Sequence, residues 1–348
     1  MHATQSHDLF DRYQSLLQEE THLRARDAAA KLGVSEAQLV EALPGAVRLR
    51  PEWAEIIADV PTLGEVLALT RNESAVHEKR GAYPAPSGHG GSILVHSKNI
   101  DLRIFLAGWA VGFAVRDTNR KGEERRSLQF FDAAGDATHK IWLEEKSNVE
   151  AFEKMVEKFS AGAPEAPFAP QPIVDPEDPA DADVDVEGLR SAWGELKDTH
   201  QFFWMLKKFQ VGRLQALRLA DGSYTRKVPT ELLRSVFTTA SEDGTPIMVF
   251  VGSRGVIQIH SGPIERFSPK NEWLNIFDPE FGLHLREDHV AHAYIVRKPT
   301  IDGDVTSLEV FDRDGREIAL VFGDRKPGIP EAESWRTCLA KAEEALRA

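Results

Sequence analysis

The chain has 348 residues, too many for one ordinary hydrophobic core, so length alone calls for two domains or one duplicated domain. Hydrophobic residues make up 42% and charged residues 28%, with no apolar run near the roughly 18 residues that cross a bilayer, which argues against membrane insertion. Forty-two Lys and Arg against 55 Asp and Glu leave a charge of −13, which repels nucleic-acid phosphates, and one cysteine, Cys338, permits neither an internal disulfide nor a cysteine metal cluster.

Apolar spacing near 3.6 predicts helices over residues 8–20, 23–43 and 63–72. Runs of period two then predict strands over 92–96, 102–106, 109–116, 127–132 and 138–143, followed by a helix over 149–159. From Ser160 to Gly188 the chain reads SAGAPEAPFAPQPIVDPEDPADADVDVEG, which keeps neither period and buries too little apolar surface to offset its ordering entropy; it reads as a linker. Beyond it come helices over 189–209, 229–240 and 331–347, and strands over 246–251, 255–260, 291–297, 306–311 and 317–322. Most strands are neighbours joined by turns, so each sheet should be largely antiparallel.

The linker leaves halves of similar size, 1–160 and 189–348, flanking 161–188, and the halves resemble each other. SLQFFDAAGDATHKIWL (Ser127–Leu143) lies over SLEVFDRDGREIALVFG (Ser307–Gly323) at an offset of 180, each copy reading as a hairpin whose Asp-to-Gly stretch turns the chain. KLGVSEAQLVEALPG (Lys31–Gly45) lies over KFQVGRLQALRLADG (Lys208–Gly222) at 177, and GSILVHSKNIDLR resembles GVIQIHSGPIERF at 164. The expected architecture is α+β: a tandem structural repeat in which each half begins with helices and continues into antiparallel strands.

Several features that suggest chemistry have plainer readings. ARDAAAKLGVSEAQLVEAL has a helix-turn-helix outline, with Gly33 in the turn and Ser35 capping the second helix, but that helix carries Glu36 and Glu41 and no base; a structural hairpin is favoured. His289 and His292 of HVAHAY lie in an alternating stretch, where an odd separation points side chains to opposite faces, so a metal pair is not expected. HExxH, GxSxG and P-loop motifs are absent, and GHGGS (Gly88–Ser92) reads as a loop.

His200 stands apart. On a continuous helix it shares a face with Trp193, Leu196 and Phe203, an apolar and aromatic setting suited either to a hydrogen-bonded core histidine or to the ligand of a flat macrocyclic iron. Cations in otherwise apolar contexts, Arg103, Arg213, Lys298 and Arg325, add weight to the second reading, since a charge among apolar neighbours usually meets an anion and haem has two propionates. For any one of these cations alone, a surface ion pair is the default reading.

Four ordered motifs resemble the HemS/HmuS-type cytoplasmic haem-trafficking and haem-degrading proteins of bacterial haem-uptake systems: RNESAVHEKRG (Arg71–Gly81), NIDLRIFL (Asn99–Leu106), W-x4-D-x-HQFF-x-ML (Trp193–Leu206) and FGDRKPGIPE (Phe322–Glu331). The resemblance covers nearly the whole chain. It implies two repeats, each a large curved antiparallel sheet flanked by helices, with haem between the halves. It further implies His200 as axial ligand of iron, Arg103 on the opposite face, Arg213, Lys298 and Arg325 at the propionates, and Phe105 and Phe250 against the porphyrin. In some members the VHEK histidine, here His77, is linked to a second haem site in the first half; by its residues alone VHEK reads as a polar, exposed stretch. Phe322 stands where some members carry a tyrosine near the propionates, and the linker is longer and more acidic than the family pattern.

The function so implied is a cytoplasmic haem-binding protein of iron acquisition that receives haem from an inner-membrane ABC transporter. It would then either hand haem to a separate haem oxygenase, as a carrier, or open the ring itself with electrons from a reductase or small reductant. A third reading is a scaffold that binds no haem. The start MHATQSHDLFDRYQ lacks a signal peptide's charged-then-apolar plan, which agrees with a cytoplasmic setting.

Overall fold

The computed structural model describes residues 2–21, 23–89, 91–118, 122–163, 165–325 and 328–347, without the side chains of residues 2–7 and 89. The first part of the chain builds α1 (His2–Glu19), α2 (Ala25–Leu32), α3 (Glu36–Glu41), β1 (Ala46–Arg48), α4 (Trp53–Asp59), β2 (Glu65–Arg71), β3 (Ala75–Ala82), β4 (Ser87–His89) and β5 (Ser92–His96). β6 (Asp101–Phe105), β7 (Val111–Thr118), β8 (Glu124–Phe131), β9 (Ala137–Leu143) and α5 (Val149–Phe159) follow. The second part builds α6 (Val186–Gly194), α7 (Gln201–Phe209), α8 (Arg213–Leu219), β10 (Thr225–Val228), α9 (Leu232–Asp243), β11 (Ile247–Gly252) and β12 (Val256–Gly262). It closes with β13 (Trp273–Phe277), β14 (Phe281–Arg286), β15 (His292–Thr300), β16 (Gly303–Phe311), β17 (Glu317–Gly323) and α10 (Glu333–Ala345).

The fold is α+β, with two antiparallel sheets of eight and nine strands. Its two compact units are not contiguous halves. Asn72–His77 groups with the second unit and Gly252–Gln258 with the first, which revises the expected division into 1–160 and 189–348. Within the stretch expected as a linker α6 already begins, because Asp185 caps it by accepting from the Gly188 amide at 2.9 Å. Although residues 165–180 hold no helix or strand, several of their polar groups are tied down. The Phe168 amide donates to Glu41 at 2.6 Å, the Gln171 amide to Ala133 at 2.7 Å, and Asp178 accepts from the Gly212 amide at 2.7 Å.

In the first unit β1, β7, β8, β9 and β2 pair in that order, and β4, β5, β6 and the start of β12 pair likewise. Trp53, Ile56 and Ile57 of α4 and Phe152, Met155 and Phe159 of α5 are buried in one core with Ala68, Ala114, Leu128 and Phe130. In the second unit the order is β10, β15, β16, β17, β11. Val236 and Phe237 of α9 and Trp335 and Leu339 of α10 bury Val249, Leu308 and Val310 in one core, while α6, α7 and α8 bury Tyr294, Val296 and Phe311 in another. Alternation along β15 and β16 feeds both cores, as period two requires.

Two of the three sequence correspondences hold in the structure. In each hairpin an aspartate oxygen accepts two amides of the turn: Asp132 from Ala134 and Asp136, Asp312 from Asp314 and Arg316, all at 2.8–3.0 Å. Gly135 and Gly315 then turn the chain at φ of 84° and 80°, and both hairpins slip register at the same place, between Phe130 and Phe131 and between Val310 and Phe311. Likewise Gly33 and Gln210 occupy equivalent left-handed positions after α2 and α7, and Ser35 caps α3 reciprocally with Gln38. The third correspondence is wrong. Offset 164 sets β5 against β12, whereas the element order sets the hairpin β2–β3 against β11–β12 and β5 against β13. The expected helix over 63–72 is also wrong: Val66, Ala68 and Thr70 are buried and their neighbours are not, the alternation of strand β2.

Candidate functional site

The expected helix 189–209 is two helices. α6 stops at Gly194, and the turn before α7 is built by Asp198, whose Oδ1 accepts from the backbone amide of His200 at 2.7 Å. His200 therefore sits at the N-cap of α7, not on a face shared with Trp193 and Leu196. Trp193 and Leu196 are core residues, and Phe202 packs edge-on against Trp193 at 4.7 Å. His200 points outward with 84% of its side chain exposed. Its Nδ1 lies 2.5 Å from Asp198 Oδ1, and its Nε2 has no hydrogen-bond partner among the described residues. The Asp198 carboxyl is held below its usual range, chiefly by the His200 amide. An imidazole fixed by a carboxylate at one nitrogen and open at the other is the arrangement that metal-ligating histidines use. Beside it on α7, Phe203 and Trp204 are 54% and 67% exposed, their rings 5.3 Å apart, with Lys207 Nζ 4.8 Å from the Phe203 centroid.

Arg213 and Lys298 do come together. Arg213 opens α8 and donates through Nε and Nη2 to Glu309 at 2.7 and 2.9 Å; Lys298 Nζ donates to Glu309 Oε1 at 2.7 Å, and Ser307 donates to the same oxygen at 2.9 Å. Glu317 Oε2 stands 3.4 Å from Arg213 Nε. Phe202 is covered by both cations, at 5.1 and 4.6 Å, and Phe322 lies 5.5 Å from Lys298 and 5.1 Å from Phe250, which gathers these aromatics at one cluster. Burial would raise the Glu309 carboxyl, but Arg213 and Lys298 outweigh it and hold the group far below the carboxylate range. Burial raises Glu317, against the opposing pull of Arg213, and lowers Lys298. The two expected propionate cations thus face internal carboxylates.

The other expected site residues meet different partners. Arg325 is mostly buried, 3.6 Å from Asp302, and Lys326 and Pro327 of the same motif lie outside the described residues. Arg103 and Phe105 belong to the first unit on β6, where Arg103 is bound to Asp101, which also meets His96 Nδ1 at 3.2 Å; Phe105 is 42% exposed. His77 corrects the expectation that VHEK is an exposed stretch. It is fully buried on β3, grouped with the second unit, its ring 4.9 Å from Phe281. Among the described residues no three His, Cys, Asp or Glu could hold a metal ion together, and no helix is long and apolar enough to cross a membrane.

The model of the haemin-degrading HemS/ChuX domain matches the chain twice, over residues 33–159 and 210–342. The chain belongs to this family. It is 39% identical over 340 residues to the hemin transport protein HmuS of Yersinia pestis, covering 96% of both chains, and 37% identical to HemS of Yersinia enterocolitica, covering 97% of both. Among solved structures it resembles holo-PhuS, a haem-binding protein from Pseudomonas aeruginosa, with a TM-score of 0.92, 44% identity and coverage of 96% and 98%. ChuS, described as an E. coli haem oxygenase, follows with a TM-score of 0.86, 34% identity and coverage of 96% and 99%. The double match agrees with a tandem two-half fold in this family member.

Sequence reasoning gave no role to Asp198 or to Glu309. The signal for Asp198 was a D-x-H spacing, short enough for an Asx turn to fix the ring. The signal for Glu309 was an acid in the strand SLEVF at a position whose alternation points it inward with Ser307 and Phe311.

Proposed function

We propose that this protein binds haem through His200 as the axial ligand and processes imported haem in the cytoplasm. The observation that carries the reading is the His200 imidazole, fixed through Nδ1 by Asp198 and open at Nε2. Haem fits the donor set: one imidazole for iron, aromatic rings for the macrocycle, and cations for its carboxylates. In this reading Arg213, Lys298 and Arg325 receive the propionates, Phe250 and Phe105 pack on the porphyrin, and Arg103 serves the opposite face. Asp198 keeps Nδ1 protonated, so Nε2 is the nitrogen that coordinates, and it makes the imidazole a stronger donor. When bound, haem supplies an iron able to activate dioxygen or peroxide, and would then be ligand and substrate together.

Transfer to and from partners is supported by exposure. A ligand 84% exposed at a helix cap can be reached by a donor, such as a membrane haem transporter, or by an accepting oxygenase, without opening a core. Hemin titration of the wild type and of His200→Ala, followed at the Soret band, tests the reading. A one-to-one endpoint in the wild type that the substitution abolishes or shifts is expected; an unsaturable wild-type response refutes it. Holo-protein incubated in air with ascorbate or a reductase, in the presence of catalase, separates the roles: a stable Soret band marks a carrier and a bleached one a degrader.

A further inference from the structure

We infer that Glu309 is a specificity-determining residue, a built-in carboxylate that holds Arg213 and Lys298 and limits how strongly they receive a carboxylate from outside. The inference rests on the proposal that these two cations face the propionates of haem.

Three observations lead to it. The first is the use of donors. Glu309 takes the Nε and Nη2 edge of Arg213, whereas Nη1 has no hydrogen-bond partner among the described residues, and the side chain is about one-quarter exposed. An external carboxylate can therefore meet the free side of the guanidinium while the inner edge stays committed. The second is charge. Two cations stand against Glu309 and Glu317, so the cluster is close to neutral, and Lys298, 3% exposed, would be a costly isolated charge without Glu309.

The third is the other repeat. In the equivalent hairpin Gln129 replaces Glu309, buried as well, and its Nε2 donates to Ser127 at 2.9 Å where Ser307 meets Glu309. At the position of Arg213, the first residue of the second helix, stands Glu36, which takes Lys140 Nζ at 2.5 Å. The first repeat thus carries an acid–base pair, Glu36 with Lys140, and a neutral glutamine where the second repeat has a carboxylate shared by two cations. The hairpin does not require a carboxylate at this position, so the charge of Glu309 answers to Arg213 and Lys298.

The test is Glu309→Gln, which installs the side chain that the first repeat already accommodates. Hemin and hemin dimethyl ester are titrated into wild type and variant at low ionic strength; the probes share iron and ring and differ only in their carboxylates. The variant should bind hemin at least about fivefold more tightly and the ester with unchanged affinity, because removing a buried negative charge strengthens only the anionic contact. Glu317→Gln, at the rim of the cluster, should shift hemin in the same direction by less, and supplies the reading should Glu309→Gln not fold. Equal shifts for hemin and ester, or unchanged hemin binding in both variants, overturn the inference. Failure of the haem reading itself is distinct: the wild type then titrates neither porphyrin.

Discussion

The first unit contains a closed polar chain whose pH response follows from its wiring. Tyr83 hydroxyl lies 2.6 Å from His139 Nε2, His139 Nδ1 lies 2.8 Å from Thr70 Oγ1, Thr70 donates to Gln258 Oε1 at 2.9 Å, and Gln258 donates to the Ala68 carbonyl at 3.0 Å. Because Thr70 spends its hydrogen on Gln258, it accepts from Nδ1, and Nε2 accepts from Tyr83. His139 is thus neutral with its proton on Nδ1, and a second proton has nowhere to go. Burial pushes its pKa down from 6.5 to about 3. The unfolded chain takes up a proton near pH 6.5 and the native one does not, so stability is fully present above that value and lost as pH falls toward 3. From pH 7.5 to 5.0 the loss is about 2 kcal/mol, 1.5 pKa units at 1.36 kcal/mol each. His139→Gln keeps a donor and an acceptor but cannot titrate. Urea-dependent hydrogen exchange of peptides covering Ala137–Leu143, at both pH values, should show the wild type losing about 2 kcal/mol more than the variant. Equal losses would mean that His139 is protonated in the native state and that the wiring is wrong.

Three further outcomes are expected. Asp198→Asn should weaken hemin binding about tenfold, the lower end for a partner that orients a metal-ligating imidazole, while leaving urea stability nearly unchanged because Asp198 is largely exposed; an unaltered hemin affinity would remove Asp198 from the site. Glu36→Gln should cost about 3 kcal/mol in urea unfolding by leaving the buried Lys140 charge uncompensated, and Glu36→Leu combined with Lys140→Met should recover at least half of it. Gly315→Ala should cost about 1 kcal/mol for a left-handed backbone, and Gly135→Ala at least twice that, since its Cβ would also meet Ser35 Oγ at 2.4 Å; equal costs would dispute the packing of that turn on the cap of α3.

Where structure follows from neighbours along the chain, the sequence was enough. Helix α5 begins and ends where its apolar spacing predicts, Ser35 caps α3, and the two Asp-to-Gly turns repeat down to the side-chain hydrogen bonds. These are local interactions within about five residues, so the same residues produce the same geometry in both repeats. The four motifs likewise sufficed for the family, and with it for His200 as the residue to examine.

The tertiary structure decided what depends on partners distant in sequence. β2 is a strand because β9 pairs with it, which a short apolar run cannot announce. His200 leaves the apolar face because Asp198 stops the helix and Phe202, rather than His200, fills the core beside Trp193. His77 is buried because strand β3 groups partly with the second unit, against Phe281 more than 200 residues away. Arg213 and Lys298 read together as cations awaiting an anion, yet Glu309, reached through a different strand, already holds them both. Charge is carried by single residues, but its balance is a property of everything folded around them, and that balance appears only when the strands are in register.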